Sequence, residues 1–194
     1  MLRDALTILL SSVIAVGGGA ASAWYALESA EGVGALTVRG WTAYPDAGSP
    51  QADPYSKARV AREADLPLGR AEGIPFTTAR DSGGEPLRRQ CSYRIEGEVP
   101  SARFWTVHVA AVDSADGAPD GRAAALSSLA LLREADSSFV VVASRHPAPG
   151  NWLALDGQGG AMRLVLSLYD TPVASNEDIA ETELPQVLRI GCDG

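Results

Sequence analysis

Hydrophobic positions along the chain fall into two regimes. Positions 5 to 27, ALTILLSSVIAVGGGAASAWYAL, hold no charged residue. At about 1.5 Å per residue such a run makes about 35 Å of helix, enough to cross a hydrocarbon core of about 30 Å. Beyond it the apolar residues come in short bursts separated by Gly, Pro and Asp, the rhythm of strands and turns. The pattern divides the chain into an anchor at 1–27, a linker at 28–39 and a β-rich domain at 40–194.

The first segment reads in two ways. As an uncleaved anchor it has Arg3 on the short side and Trp24-Tyr25 at the level of an interfacial aromatic belt. As a signal peptide it has an apolar core at Leu6–Val16 and a small-x-small site, Ala21-Ser22-Ala23, before Trp24. The single Arg, offset by Asp4, and the apolar continuation through Ala26-Leu27 favour the anchor. Either way the remainder is exported. The expected location is the inner membrane, single-pass through residues 5–27, with the C-terminal domain in the periplasm.

Within the domain, Ala35–Val38 and Trp41–Tyr44 read as short strands, and 46–52 as a loop. Asp53-Pro54 is a helix start, with Asp as cap and Pro at the first helical position; Tyr55, Ala58, Ala61 and Arg62 are expected on its packed face, against a sheet. Strands resume at Phe76. Asp81-Ser82-Gly83-Gly84 reads as a hairpin turn. From Leu87 to Ile95, Leu87, Cys91, Tyr93 and Ile95 alternate with Arg88, Gln90, Ser92 and Arg94, the signature of a half-buried antiparallel strand; Arg89 breaks the row. Phe104–Val112 reads as a central strand and Phe139–Ala143 as a fully buried one. Leu164, Leu166 and Leu168 form the inward face of the last long strand. Turns are expected at 117–121, 147–150 and 157–160; Ala123–Arg133 is helical by composition and strand by context. The fold class is mainly β: an antiparallel sandwich-like domain with one or two short helices, preceded by one transmembrane helix.

Composition narrows the chemistry. A formal charge of −8 excludes any long-range pull toward nucleic acid. Of 16 basic residues only Lys57 is Lys. Cys91 and Cys192 are the two cysteines, and an exported domain favours their pairing. In the chain-entropy picture, closing a loop of about 100 residues contributes about 4–5 kcal/mol. His108 and His146 lack metal-ligand spacing, so neither a metal nor a cofactor is expected. A trio of Ser144, His108 and Asp170 can be drawn, but no serine is flanked by the glycines of a nucleophile elbow. No catalytic residue is assigned. The acid pairs Glu181/Glu183 and Asp116/Asp120 lie in turn-like or tail segments.

Five segments resemble a known family: ADPYSKARVAR (52–62), LPLGRAEGIPF (66–76), CSYRIEGEVPSARFWTVHV (91–109), PGNWLALDGQGGAMRLVLSLYDTP (149–172) and ELPQVLRIGC (183–192). They are similar to the bacterial domain of unknown function 1214, in its short single-anchor alphaproteobacterial form, from about Gly40 to Cys192. The resemblance implies a predominantly β, membrane-attached chain and no established reaction. Two positions depart from the family pattern, Ala154 in place of Pro and Ser167 in place of Arg. Arg103, Trp105, His108, Asn151, Trp152 and Tyr169 cluster in these segments and form the candidate ligand site, since they join aromatic bodies to hydrogen-bonding tips. The leading expectation is a non-enzymatic envelope module that binds a protein, glycan or lipid-derived ligand. The alternatives are a periplasmic hydrolase-like enzyme using His108 and an accessory subunit of a membrane complex.

Overall fold

The computed structural model describes residues 2–29, 34–63, 66–111, 125–155, 159–175 and 182–192. Helix α1 (Leu2–Ser29) contains a stretch, Arg3–Tyr25, long and apolar enough to cross a membrane, and none of that stretch is buried by the rest of the chain. Among the described residues, ten strands follow in two sheets. The first sheet holds β1 (Leu36–Val38), β2 (Trp41–Ala43), β3 (Gly73–Thr78), β5 (Phe104–Ala111), β6 (Ala125–Ser127) and β9 (Met162–Tyr169), in the order β1-β2-β3-β9-β5-β6. The second holds β4 (Cys91–Gly97), β7 (Phe139–Ser144), β8 (Asn151–Ala154) and β10 (Gln186–Cys192), in the order β10-β4-β7-β8. Helix α2 (Pro54–Glu63) lies between β2 and β3 in the chain, and a 3-10 turn, Pro172–Ser175, follows β9.

One apolar core fills the space between the sheets, as alternating strands that each bury one face require. Phe76, Trp105, Leu164, Leu166 and Leu168 from the first sheet share it with Tyr93, Ile95, Phe139, Val141 and Leu153 from the second, all nearly inaccessible to solvent. The Trp105 and Phe139 rings meet across it at 4.9 Å. Trp41 donates its indole N–H to the Pro185 carbonyl at 2.8 Å, so this buried polar atom is satisfied. At Gly73, a Cβ would come within 2.1 Å of the Leu168 carbonyl oxygen. No larger residue fits where β3 joins β9.

Several expectations hold. Cys91 and Cys192 form a disulfide between β4 and β10. Asp53 caps α2, its Oδ1 accepting from the Tyr55 and Ser56 amides. The alternation along β4, with Cys91, Tyr93 and Ile95 inward, and along β9, with its three leucines inward, is as read.

Other expectations are corrected. Residue Ser56 is buried on α2, while Tyr55 and Ala61 are exposed, so the packed face is rotated from the expected one. The turn 81–84 is a tight hairpin as read, closed by an antiparallel Arg80–Pro86 bridge, but its arms are not β3 and β4, which belong to different sheets. Leu87 is fully buried but precedes the strand. Strand β7 is not buried throughout: Phe139, Val141 and Ala143 face the core and Val140 and Val142 are half-buried. The described part of 123–133 opens as strand β6. The last strand is β10, not β9. The first sheet reaches back to Leu36, within the stretch read as linker. The expected turn at 117–121 and residues 157–158 lie outside the described residues, as do Asp116, Asp120 and Glu181.

Candidate functional site

The six candidate residues occupy four places. Arg103 and Tyr169 meet at one end of the first sheet, where Phe104 pairs with Tyr169 and their rings lie 5.6 Å apart. Arg103 Nη1 stands 3.6 Å from Asp170 Oδ2, with both side chains largely in solvent. Such a pair contributes less than about 1 kcal/mol. Trp105, next along β5, points the other way into the core and is 2% exposed. The Arg133 guanidinium sits 5.9 Å from the Trp105 ring centroid, a cation–π contact that nothing in the spacing of the two residues announces.

His108 lies half-buried on the outer face of the same sheet, between Val165 of β9 and Ala125 of β6. It belongs to a row that runs Thr37, Thr42, Thr77, Val165, His108, Ala125 across all six strands. The other members of the drawn trio are elsewhere. Ser144 ends β7 in the second sheet; its hydroxyl donates to the His146 carbonyl and accepts from the Trp152 indole.

Asn151 and Trp152 stand together on β8, and their polar atoms are spent on the backbone. Asn151 Nδ2 donates to the Leu132 and Val140 carbonyls at 2.8 and 2.9 Å, and its Oδ1 accepts from the Leu132 amide at 2.7 Å. Trp152 Nε1 donates to the Ser144 carbonyl at 3.1 Å. These bonds secure an unusual connection: β7 and β8 are parallel neighbours joined only by residues 145–150. A parallel pair ordinarily needs a crossover of about a dozen residues or more.

The structure has a different concavity. A depression of about 480 Å³ opens beside the polar face of β4, rimmed by Arg39, Arg94, Glu96, Glu98, Glu183 and Gln186 and floored by Phe139 and Val140. Two ion pairs lie on its rim, Arg39–Glu183 at 3.2 Å and, along β4, Arg94–Glu96 at 2.6 Å. None of the six expected residues lines it. Its signal in sequence was slight: Arg94 and Glu96 share the outward parity of β4, but Arg39 and Glu183 are 144 residues apart and only the fold joins them. Among the described residues no group of His, Cys, Asp and Glu is placed to hold a metal ion. Two carboxyls are held below the ordinary aspartate range, and both do local work. Asp53 is stabilised as the anion chiefly by the Ser56 hydroxyl, and Asp136 by the Ser138 hydroxyl.

The family profile for a protein of unknown function, DUF1214, matches residues 72–173, more than half of the chain. The chain belongs to this family. The match runs from the start of β3 to the 3-10 turn after β9, narrower than the stretch over which the resemblance is legible by eye. Cys91 lies inside it; α2, β10 and Cys192 lie outside. No curated protein matches the chain. Among solved structures, a Vibrio parahaemolyticus protein superposes with a TM-score of 0.55 at 15% identity, over 72% of this chain and 36% of its own. That likeness shows the fold. An uncharacterised Burkholderia cenocepacia protein aligns with a TM-score of 0.36 at 16% identity, over 75% of this chain and 44% of its own. The DUF1214 chain thus spans less than half the length of either protein.

Proposed function

We propose that this DUF1214 protein is a membrane-anchored, extracytoplasmic binding module. The observation that carries the reading is the pairing of a wholly exposed apolar helix with a disulfide-closed sandwich. An exposed run of this length is stable only in lipid or after removal by a signal peptidase, and disulfides persist in oxidising compartments. The depression beside β4 is the proposed contact surface, in place of the six residues first grouped. Its predominantly polar lining of paired cations and anions suits a polar glycan or peptide segment from a protein, glycan or lipid-derived partner. His108, on which the hydrolase alternative rests, does not line the depression, which favours the binding reading.

Fractionation and topology mapping test this. The full chain should sediment with inner membranes, resist extraction by carbonate, and give an active alkaline phosphatase when that reporter is fused after residue 192. Intact residues 1–29 in the mature mass favour the anchor. A mass beginning at Trp24 converts it to a released periplasmic protein, and an inactive reporter fusion overturns export altogether.

A further inference from the structure

We propose that β10 is a releasable strap, latched by the Cys91–Cys192 bridge and opened by a dithiol reductant. The inference goes beyond the binding reading and rests on how differently β10 and β4 are held. Of the residues of β10 only Val187 is buried; Leu188 and Ile190 face solvent at 37% and 60% exposure. β4, by contrast, buries Cys91, Tyr93 and Ile95 and is paired on its other side with β7.

Apart from its ladder with β4, β10 is held by one apolar anchor, the buried Val187, by the Arg189 guanidinium 5.7 Å from the Tyr93 ring centroid, and by polar and covalent contacts. The Ser82 amide donates to the Val187 carbonyl at 2.8 Å and the Val187 amide donates to Ser82 Oγ at 2.9 Å. Arg189 reaches the Asp81 carboxylate at 3.0 Å and the Pro86 carbonyl at 2.8 Å. Asp81 is itself buried and accepts from the Gly83 and Glu85 amides, so the loop that grips the strap stands without it. Water can replace each of these polar contacts on a strand so exposed, at small net cost per bond. Water cannot replace the burial of Val187 or the disulfide, and of the two only the disulfide is covalent. It confines β10 beside its partner strand and keeps the effective concentration of the strap high.

The two cysteines differ in access: Cys192 is an exposed residue and Cys91 is 2% exposed. A thiolate of the dithiol attacks Cys192 Sγ, the S–S bond breaks, and its electron pair leaves on Cys91 Sγ, which takes a proton. The second thiolate then attacks the reductant's own sulfur in the mixed disulfide and frees Cys192 as a thiol. Two electrons and two protons pass to the protein, and the dithiol becomes a disulfide. Released, β10 leaves the edge of β4 unpaired, an open template for an incoming strand.

Hydrogen exchange of the full chain in mild detergent, oxidised and after dithiothreitol, tests the latch. On reduction, peptides covering 183–192 should exchange about 100-fold faster, while those of β5 and β9 keep their protection. Retained protection in β10 overturns the proposal. So does loss of protection in β5 and β9 in step with β10, which makes the bridge a clamp on the whole sandwich. Cys192→Ser, untreated, should reproduce the reduced pattern; if that variant fails to fold, the strap is not releasable and the proposal fails.

Discussion

At the residue scale, the side chains that look most like a binding site are among those most occupied with structure. Asn, Trp and Arg are the side chains with several directed donors, and buried backbone groups draw on them for the same reason that ligands do. The exposed carboxyls are simpler. Asp53 has a folded-state pKa below its unfolded one, because the Ser56 hydroxyl and two amides bond to the anion. A depressed carboxyl contributes stability above its unfolded value of about 3.9 and loses that contribution as pH falls through the folded value. The start of α2 should therefore fray only at pH below the ordinary aspartate range. A carboxyl-carbon NMR titration should place the Asp53 midpoint below that range, and Ser56→Ala should move it upward; an unmoved midpoint would refute the assigned cause.

At the scale of elements, alternation told which face of a strand is inward but not which strand lies beside it. β4 and β9 were legible because every second residue is apolar, a period that survives any topology. The pairing of β7 with β8 was illegible because it is parallel and short-looped, and the usual preference for hairpins points elsewhere. Its hold is local and testable. Asn151→Ala removes three hydrogen bonds, at about 0.5–1.5 kcal/mol net each, and should destabilise the fold by about 2 kcal/mol in urea titration. Asn151→Asp should cost at least as much, since it sets a carboxylate against the Leu132 and Val140 carbonyls. Equal stability of all three proteins would show that the clamp is idle.

At the scale of the whole molecule, the apolar helix and the sandwich are separable in energy. The membrane-length stretch of α1 holds no buried residue and supplies none of the core. A chain starting at residue 30 should keep its β circular dichroism signature and, in urea titration, an unfolding free energy within about 0.5 kcal/mol of the full chain in detergent, while leaving the membrane fraction. A large loss of stability would mean that the helix packs on the body after all.

Composition and period by themselves determined the division into apolar helix and β domain, the inward faces of β4 and β9, the start of α2 and the pairing of the two cysteines. These are properties of the local chain or of a count, and they need no partner to be read. Only the tertiary structure decided what lies beside what. It placed Trp105 in the core and His108 on the opposite face of one strand, spent Asn151 and Trp152 on a parallel turn, and drew Arg39 to Glu183 at the rim of a depression. Strand order is chosen by packing two faces around one core, an energy spread over residues far apart in the chain, and so no single segment carries it.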